Sequence, residues 1–305
     1  GSVTGTFADK NVGTGKTVTI SGVTKSGTDA GNYVITQPST TANITAKGLT
    51  VTGITAANRV YDASTSATAL LDKTAAALSG VESGDTVTMS HSSATASFTD
   101  KNIGTGKTVN IAGITISGAD AGNYTLSQPS TTANITAKTL TVSGITAANK
   151  TYNASTVATL STGSAAFVGV ESGDTVTIGV GSATGAFADK NVGSGKTVQV
   201  SGVTKSGADA GNYTITQPTT TANITAKGLT VTGITATNRV YDATTGATAL
   251  LDKTSAALSG VVAGDTVTMD HTSATATFAD KNVGSGKSVS ISGITIGGAD
   301  SGNYT

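Results

Sequence analysis

Residues 117–138 read Ser-Gly-Ala-Asp-Ala-Gly-Asn-Tyr-Thr-Leu-Ser-Gln-Pro-Ser-Thr-Thr-Ala-Asn-Ile-Thr-Ala-Lys. A turn cluster (117–123) runs into Tyr124, Pro129 interrupts, and Ser130 to Thr136 then alternates, with Ala133 and Ile135 on one face. Alternation with period two between turn signals predicts a half-buried strand. Proline at the start or edge of such a strand does no harm, because the N–H it lacks is not needed there. The stretch returns along the chain. Gly-Asn-Tyr ends at Tyr33, Tyr124, Tyr213 and Tyr304, and Thr-Ala-Asn-Ile-Thr-Ala-Lys ends at Lys47, Lys138 and Lys227, so the intervals are 91 and 89 residues in alternation. That period is too long for one coil of a solenoid and suits a small all-β domain, with a β-solenoid as the alternative. The chain divides into the C-terminal part of a repeat (1–46), two repeats (47–137 and 138–226) and a repeat truncated at its C-terminal end (227–305).

Working outward, Leu49, Val51 and Ile54, then Val87 and Met89, Val109 and Ile111, and Ile114 and Ile116 continue the alternation. Turn clusters at 79–85, 102–107 and 117–123 separate them, and only Ala67 to Leu78 reads, weakly, as helical. Residues 1–50 differ from residues 181–230 at eight positions, which marks duplication of paired units. All seven Tyr fall in Tyr-Asp/Asn-Ala or Gly-Asn-Tyr, and Phe7, Phe98, Phe187 and Phe278 each stand just before an x-Asp-Lys-Asn; aromatics fixed in every unit read as core pegs.

Composition excludes much. Eighteen acidic residues balance 18 basic ones, so no field exists to hold nucleic acid or an anionic membrane. Cysteine is absent, which excludes disulfides and thiolate metal sites, and the longest apolar run is far too short for a membrane span.

The turns Asp29-Ala-Gly31-Asn-Tyr33, Asp120-Ala-Gly122-Asn-Tyr124 and Asp209-Ala-Gly211-Asn-Tyr213 resemble the Asp-x-Gly-x-Tyr corner of immunoglobulin-like sandwiches. That resemblance implies a tyrosine hydroxyl bonded back to the backbone between two sheets. Together with Tyr-Asp-Ala, Phe-x-Asp-Lys-Asn, Gly-Lys-Thr-Val and Gln-Pro-x-Thr-Thr-Ala-Asn-Ile-Thr-Ala-Lys, the chain resembles the YDG-type repeats of large, filamentous-haemagglutinin-like bacterial exoproteins. The third residue of the eponymous motif, Gly in that family, is Ala63 and Ala154 here. The resemblance implies a secreted or surface-anchored adhesin in which elongated tandem sandwiches carry a binding tip away from the cell. Its partners would be neighbouring repeats, with host surface or other adhesin copies beyond them.

Chemistry is sparse. Gly-Thr/Ser-Gly-Lys-Thr/Ser at 13–17, 104–108, 193–197 and 284–288 imitates the end of a phosphate-binding loop, but an alternating strand follows where a helix N-terminus is required, so a hairpin turn is the reading. Only His91 and His271 exist, at one repeat position, and Glu82 and Glu171 are the only glutamates. No nucleophile, base and orienter occur together once, so the chain reads as non-enzymatic and without a cofactor. Calcium at the turn residues Asp85, Asp100 and Asp120 is the one ion considered. Asn43, Asn123, Asn134, Asn212 and Asn223 lie in Asn-x-Ser/Thr sequons and are the candidate glycosylation sites.

Overall fold

The computed structural model describes residues 2–305. It is all-β, and among the described residues short 3₁₀ turns are the only helical elements. Two compact units divide it: one comprises Gly1–Lys138, Glu171–Asp174 and Gly211–Thr214, and the other Thr139–Val170, Thr175–Ala210 and Ile215–Thr305.

In the first unit the repeat 47–137 shows why the sequence folds as it does. Ser130–Thr136, the stretch quoted first, sits inside a four-stranded sheet in the order Thr95–Phe98, Gly104–Ala112, Ser130–Thr136, Arg59–Val60. Its first three strands are antiparallel and the last is parallel to its neighbour. A second sheet places Lys47–Thr52 between Tyr124–Leu126, which runs parallel to it, and Ala77–Ser79, which runs antiparallel. Two-stranded ribbons pair Thr88–Ser90 with Thr115–Ser117 and Thr55–Ala56 with Leu71–Asp72. The alternating residues form the core: Leu49, Val51, Ile54, Phe98, Val109, Ile111, Ile114, Ala133 and Ile135 are all buried. Burying one face of each strand is what fixes the registers, since a one-residue slip would turn every one of them to solvent.

The second unit repeats this plan. Five strands follow the order Lys150–Thr151, Thr219–Thr225, Gly193–Ser201, Thr184–Phe187, Val157–Ala158. One cluster joins Tyr152, Ala158, Phe187, Val198, Ala222 and Ile224 to Tyr304, so the core runs on from one repeat into the next. In the repeat 227–305, Thr275–Phe278 pairs with Val289–Ser292 in a sheet of two strands.

Two local readings are corrected. Residues 67–78 are not helical: a single 3₁₀ turn, Thr68–Leu70, is followed by the strands Leu71–Asp72 and Ala77–Ser79. The Gly-Thr-Gly-Lys segment is not a hairpin turn either, for it opens the strand Gly104–Ala112 and carries a β-bulge. Gly104 opposes Ile135 and Lys107 opposes Ala133, so one extra residue is accommodated, and Gly106 takes φ 59 to do it. Glycine reaches that left-handed region at no steric cost. Asn134 Oδ1 then accepts the Gly106 N–H at 2.7 Å, and Asn43 and Asn223 do the same for Gly15 and Gly195. A helix N-terminus, which phosphate binding would need, is nowhere near.

Candidate functional site: the joint between repeats

The motifs that recur without exception meet where one repeat abuts the next. On the donor side two loops are braced from within. In the loop Asp100-Lys101-Asn102, Asp100 Oδ1 accepts the Asn102 N–H at 2.8 Å and the Lys107 ammonium at 2.7 Å. The lysine of the phosphate-loop imitation is thus spent on an aspartate, here and at Lys16, Lys196 and Lys287. Those salt bridges and the Asx turns hold the carboxyls of Asp9, Asp100, Asp189 and Asp280 below the usual carboxylate range.

The second donor loop is Tyr-Asp/Asn-Ala. Tyr61 N–H donates to Thr136 O at 2.8 Å, Asp62 Oδ1 accepts the Ser64 N–H, and the Arg59 guanidinium stacks 4.8 Å from the Phe98 ring centre while donating to Ser66 O. In the following repeat Lys150 takes the place of Arg59 over Phe187, and burial pulls its pKa down. Ala63, Ala154 and Ala243 have φ 58°, 57° and 61°, so alanine holds the left-handed conformation that the family's glycine would adopt freely.

The acceptor side is built from the Gly-Asp-Thr and Asp-Ala-Gly-Asn-Tyr turns of one repeat. Asp120, Asp209 and Asp300 each accept, through Oδ2, the backbone N–H of Thr86, Thr175 or Thr266. Tyr124, Tyr213 and Tyr304 accept the N–H of residues 82, 171 and 262 at 3.1, 2.9 and 2.9 Å and donate at 2.6 Å to Asp85, Asp174 and Asp265. The expected backbone bond of the corner tyrosine therefore exists, but it fastens the loop before Gly-Asp-Thr and not the turn that carries the tyrosine. Tyr33, the first copy, makes no such bond and is 68% exposed.

Donor and acceptor interlock. In the first unit Tyr61 and Tyr213 both donate to Asp174 Oδ2, at 2.7 and 2.6 Å, while Lys101 Nζ lies 2.6 Å from Oδ1. The two rings meet edge to face, 5.3 Å between centres. Asn212 Oδ1 accepts the Ile103 N–H at 3.0 Å, and its Nδ2 donates to Asn102 Oδ1 at 3.1 Å. In the second unit the same roles fall to Tyr152, Tyr304 and Lys190 around Asp265, with Asn303 joined to Val192 and Asn191. A third joint sets Lys10 against Asp85 and Asp120, at 2.5 and 2.7 Å, and Val12 N–H on Asn123.

Electrostatics agree with the geometry. The Asp174 side chain is 1% exposed, and burial alone would raise its pKa; Lys101, Tyr213 and Tyr61 outweigh that and keep it below the ordinary value. Burial, then the anion beside them, push the phenols of Tyr61 and Tyr213 up. Tyr61 and Tyr152 are each 1% exposed, whereas Tyr241, the same residue in the repeat 227–305, is 55% exposed.

Gly31, Gly122 and Gly211 leave open space where a Cβ would be, so no close approach demands them. Asp85 and Asp120, considered for calcium, face the Lys10 ammonium, and Asp100 faces that of Lys107. Among the described residues no group of three or more His, Cys, Asp or Glu side chains could hold a metal ion. Of the sequons, Asn43, Asn134 and Asn223 serve the bulges, while Asn123 and Asn212 spend both ends of the amide on joints, where a glycan on Nδ2 would require the joint to open. That the repeated Asp-Lys-Asn and Tyr-Asp/Asn-Ala motifs reach across into the next repeat was missed in the sequence. The signal available was in the tyrosine motif: Tyr61 to Asp174 and Tyr152 to Asp265, across the repeat boundary, are both 113 residues, whereas within a repeat Tyr61 to Asp85 is 24 and Tyr152 to Asp174 is 22.

The sequence profile of the YDG domain matches residues 1–42, 45–133, 136–222 and 225–305. No curated protein and no solved structure matches the chain. The chain belongs to the YDG domain family, as four tandem copies.

Proposed function

We propose that this array of YDG domains is a stalk: a non-enzymatic spacer of a secreted or surface-anchored bacterial adhesin of the filamentous-haemagglutinin-like kind, built of immunoglobulin-like sandwiches strung as a rod. The observation that carries this reading is the joint. Its carboxylate, two phenols, ammonium and asparagine pair recur at equivalent positions, and each serves to hold one repeat to its neighbour. Residues kept in every copy are here spent on connection and leave no unique polar cluster for chemistry. A chain held by repeated nearest-neighbour interfaces transmits position and force along its length.

The rival, in which the repeats grip host glycans or matrix by multiplicity, would want an exposed aromatic in each unit. In the repeats 47–137 and 138–226, Tyr61, Tyr124, Phe98, Tyr152, Tyr213 and Phe187 are instead buried, and the exposed aromatics are Tyr33 and Tyr241 in the flanking repeats. Solution scattering tests the stalk. Arrays of increasing repeat number should lengthen almost linearly, and a maximum dimension that stays that of a globule overturns the reading. Saturable binding of the isolated array to a glycan or matrix panel, steepening with repeat number, would favour the rival.

A further inference from the structure

Two of the joints press together a pair of tyrosines that come from neighbouring repeats. Tyr61 and Tyr213 aim their hydroxyls at one oxygen, Asp174 Oδ2, at 2.7 and 2.6 Å, and their rings meet at 76° with 5.3 Å between centres. Tyr152 and Tyr304 repeat the arrangement on Asp265 Oδ2, at 2.8 and 2.6 Å, with 73° and 5.4 Å between the rings. Aromatic packing alone favours an edge-to-face pair. It does not require both hydroxyls to converge on one carboxylate oxygen. That convergence gathers the two hydroxyls, and the ortho carbons that flank them, at the same end of the pair. Those ortho carbons carry unpaired spin once a phenol has lost an electron and a proton, and the shared carboxylate is a proton acceptor already in hydrogen-bond contact with both rings. Composition points the same way. The sequence has no Cys and no Trp, only two Met and seven Tyr, so the side chains that otherwise consume oxidants are absent or scarce.

We propose that Tyr61 with Tyr213, and Tyr152 with Tyr304, are oxidative cross-linking sites, each pair becoming a dityrosine that bolts its joint shut. The oxidant is hydrogen peroxide acting through a haem centre that removes one electron at a time. Tyr61 gives up an electron while its phenolic proton passes to Asp174 Oδ2 and on to water, and Tyr213 then does the same. The way out lies beside Lys101, whose side chain is 35% exposed and whose ammonium stands 6.0 Å from the Tyr61 ring centre. The two radicals couple through one ortho carbon each, so a C–C bond forms between the rings. The C–H bond on each of those carbons breaks, and the hydrogens move to the phenol oxygens as the rings regain aromaticity. One peroxide, its O–O bond cleaved, takes up the two electrons and two protons and leaves as two waters. Because the partners are already in contact, coupling within the joint outruns coupling between chains. The inference stands on the joint and is separate from the stalk reading. The bond adds a second covalent tie between repeats that the backbone already connects, and a joint so closed no longer opens under load.

The test treats the dilute whole chain with hydrogen peroxide and a small haem peptide, then digests it with trypsin for mass spectrometry. Tyr33 and Tyr241, 68% and 55% exposed, gauge the dose, which is raised until both are consumed. Two linked products should appear, one joining the tryptic peptides 60–73 and 206–227 and the other joining 151–190 and 288–305, each two hydrogens lighter than its parts and each with dityrosine fluorescence. Both should vanish when the chain is oxidised in urea, which takes the joints apart. Tyr61→Phe, which keeps the ring, should leave Tyr213 uncoupled and the second product unchanged. Consumption of Tyr33 and Tyr241 with neither product overturns the proposal, as do equal yields from the folded and the urea-unfolded chain. Coupling of Tyr213 to some other tyrosine in Tyr61→Phe overturns it too, since the joint would then not select the partner. The scattering test of the stalk is independent of all these results.

Discussion

A single carboxylate shows how much one side chain carries here. Asp174 is enclosed, yet it is kept ionised by three donors, Lys101, Tyr61 and Tyr213, that arrive from both sides of a joint. A hydrogen bond to a charged group contributes about 1.5–3 kcal/mol. Tyr61→Phe should therefore lower stability by about that amount with the ring packing kept, and Tyr61→Ala by about 3–5 kcal/mol because the core also gains a void. Urea unfolding measures both, and equal, negligible losses would show that the tyrosine is not at the joint. Ala63 offers the opposite sign. Alanine at φ 58° is strained where glycine is not. Ala63→Gly, which restores the family's residue, should stabilise the chain by about 0.5–1 kcal/mol, read as a raised urea midpoint at unchanged slope.

At the scale of the element, strand positions were legible because burial on one face imposes period two. Leu49, Val51, Val109, Ile111, Ala133 and Ile135 alternate in the sequence and are buried together in the fold. What was not legible depends on partners far away in the chain. Gly104-Thr-Gly-Lys107 looks like a turn from its glycines, but across from Ala133 and Ile135 it becomes a bulge, and no local signal identifies that partner. The helical look of 67–78 comes from a run of Ala and Leu whose strand partners, Thr55–Ala56 and Lys47–Thr52, lie upstream. The Asn of Asn-Ile-Thr reads as a sequon, whereas its side chain fills the bulge. Asn134→Ala should then leave the Gly106 N–H without its acceptor and cost about 1 kcal/mol, while Asn134→Asp, which keeps an oxygen there, should cost less. Comparable losses for the two would argue against the bulge contact.

For the whole molecule the joints make stability a property of neighbours. Asp85, Asp174 and Asp265 all have pKa values below the ordinary carboxylate value. A carboxyl depressed on folding stabilises the native state above its unfolded pKa, and that contribution disappears as pH falls through the native value. Acidification below about pH 4, the ordinary carboxylate range, should therefore weaken the array progressively. The phenols work in the other direction: Tyr61, Tyr152, Tyr213 and Tyr304 are raised, so their contribution is complete below about pH 10 and is lost as pH climbs from there through the raised values. Urea midpoints across pH should accordingly trace a plateau with an acid and an alkaline shoulder. Asp174→Asn should abolish the acid shoulder it contributes and shrink the alkaline one, because it removes the titrating acid and the anion that, after burial, raises Tyr61 and Tyr213. The same substitution separates joint from repeat. Each repeat keeps its own buried strands, so in a nearest-neighbour array the variant should weaken coupling more than it unfolds either side, and one cooperative transition should split toward two. A single transition merely shifted to lower urea would mean that Asp174 supports its own repeat alone, and the joint would lose its standing as the element that holds the chain in series.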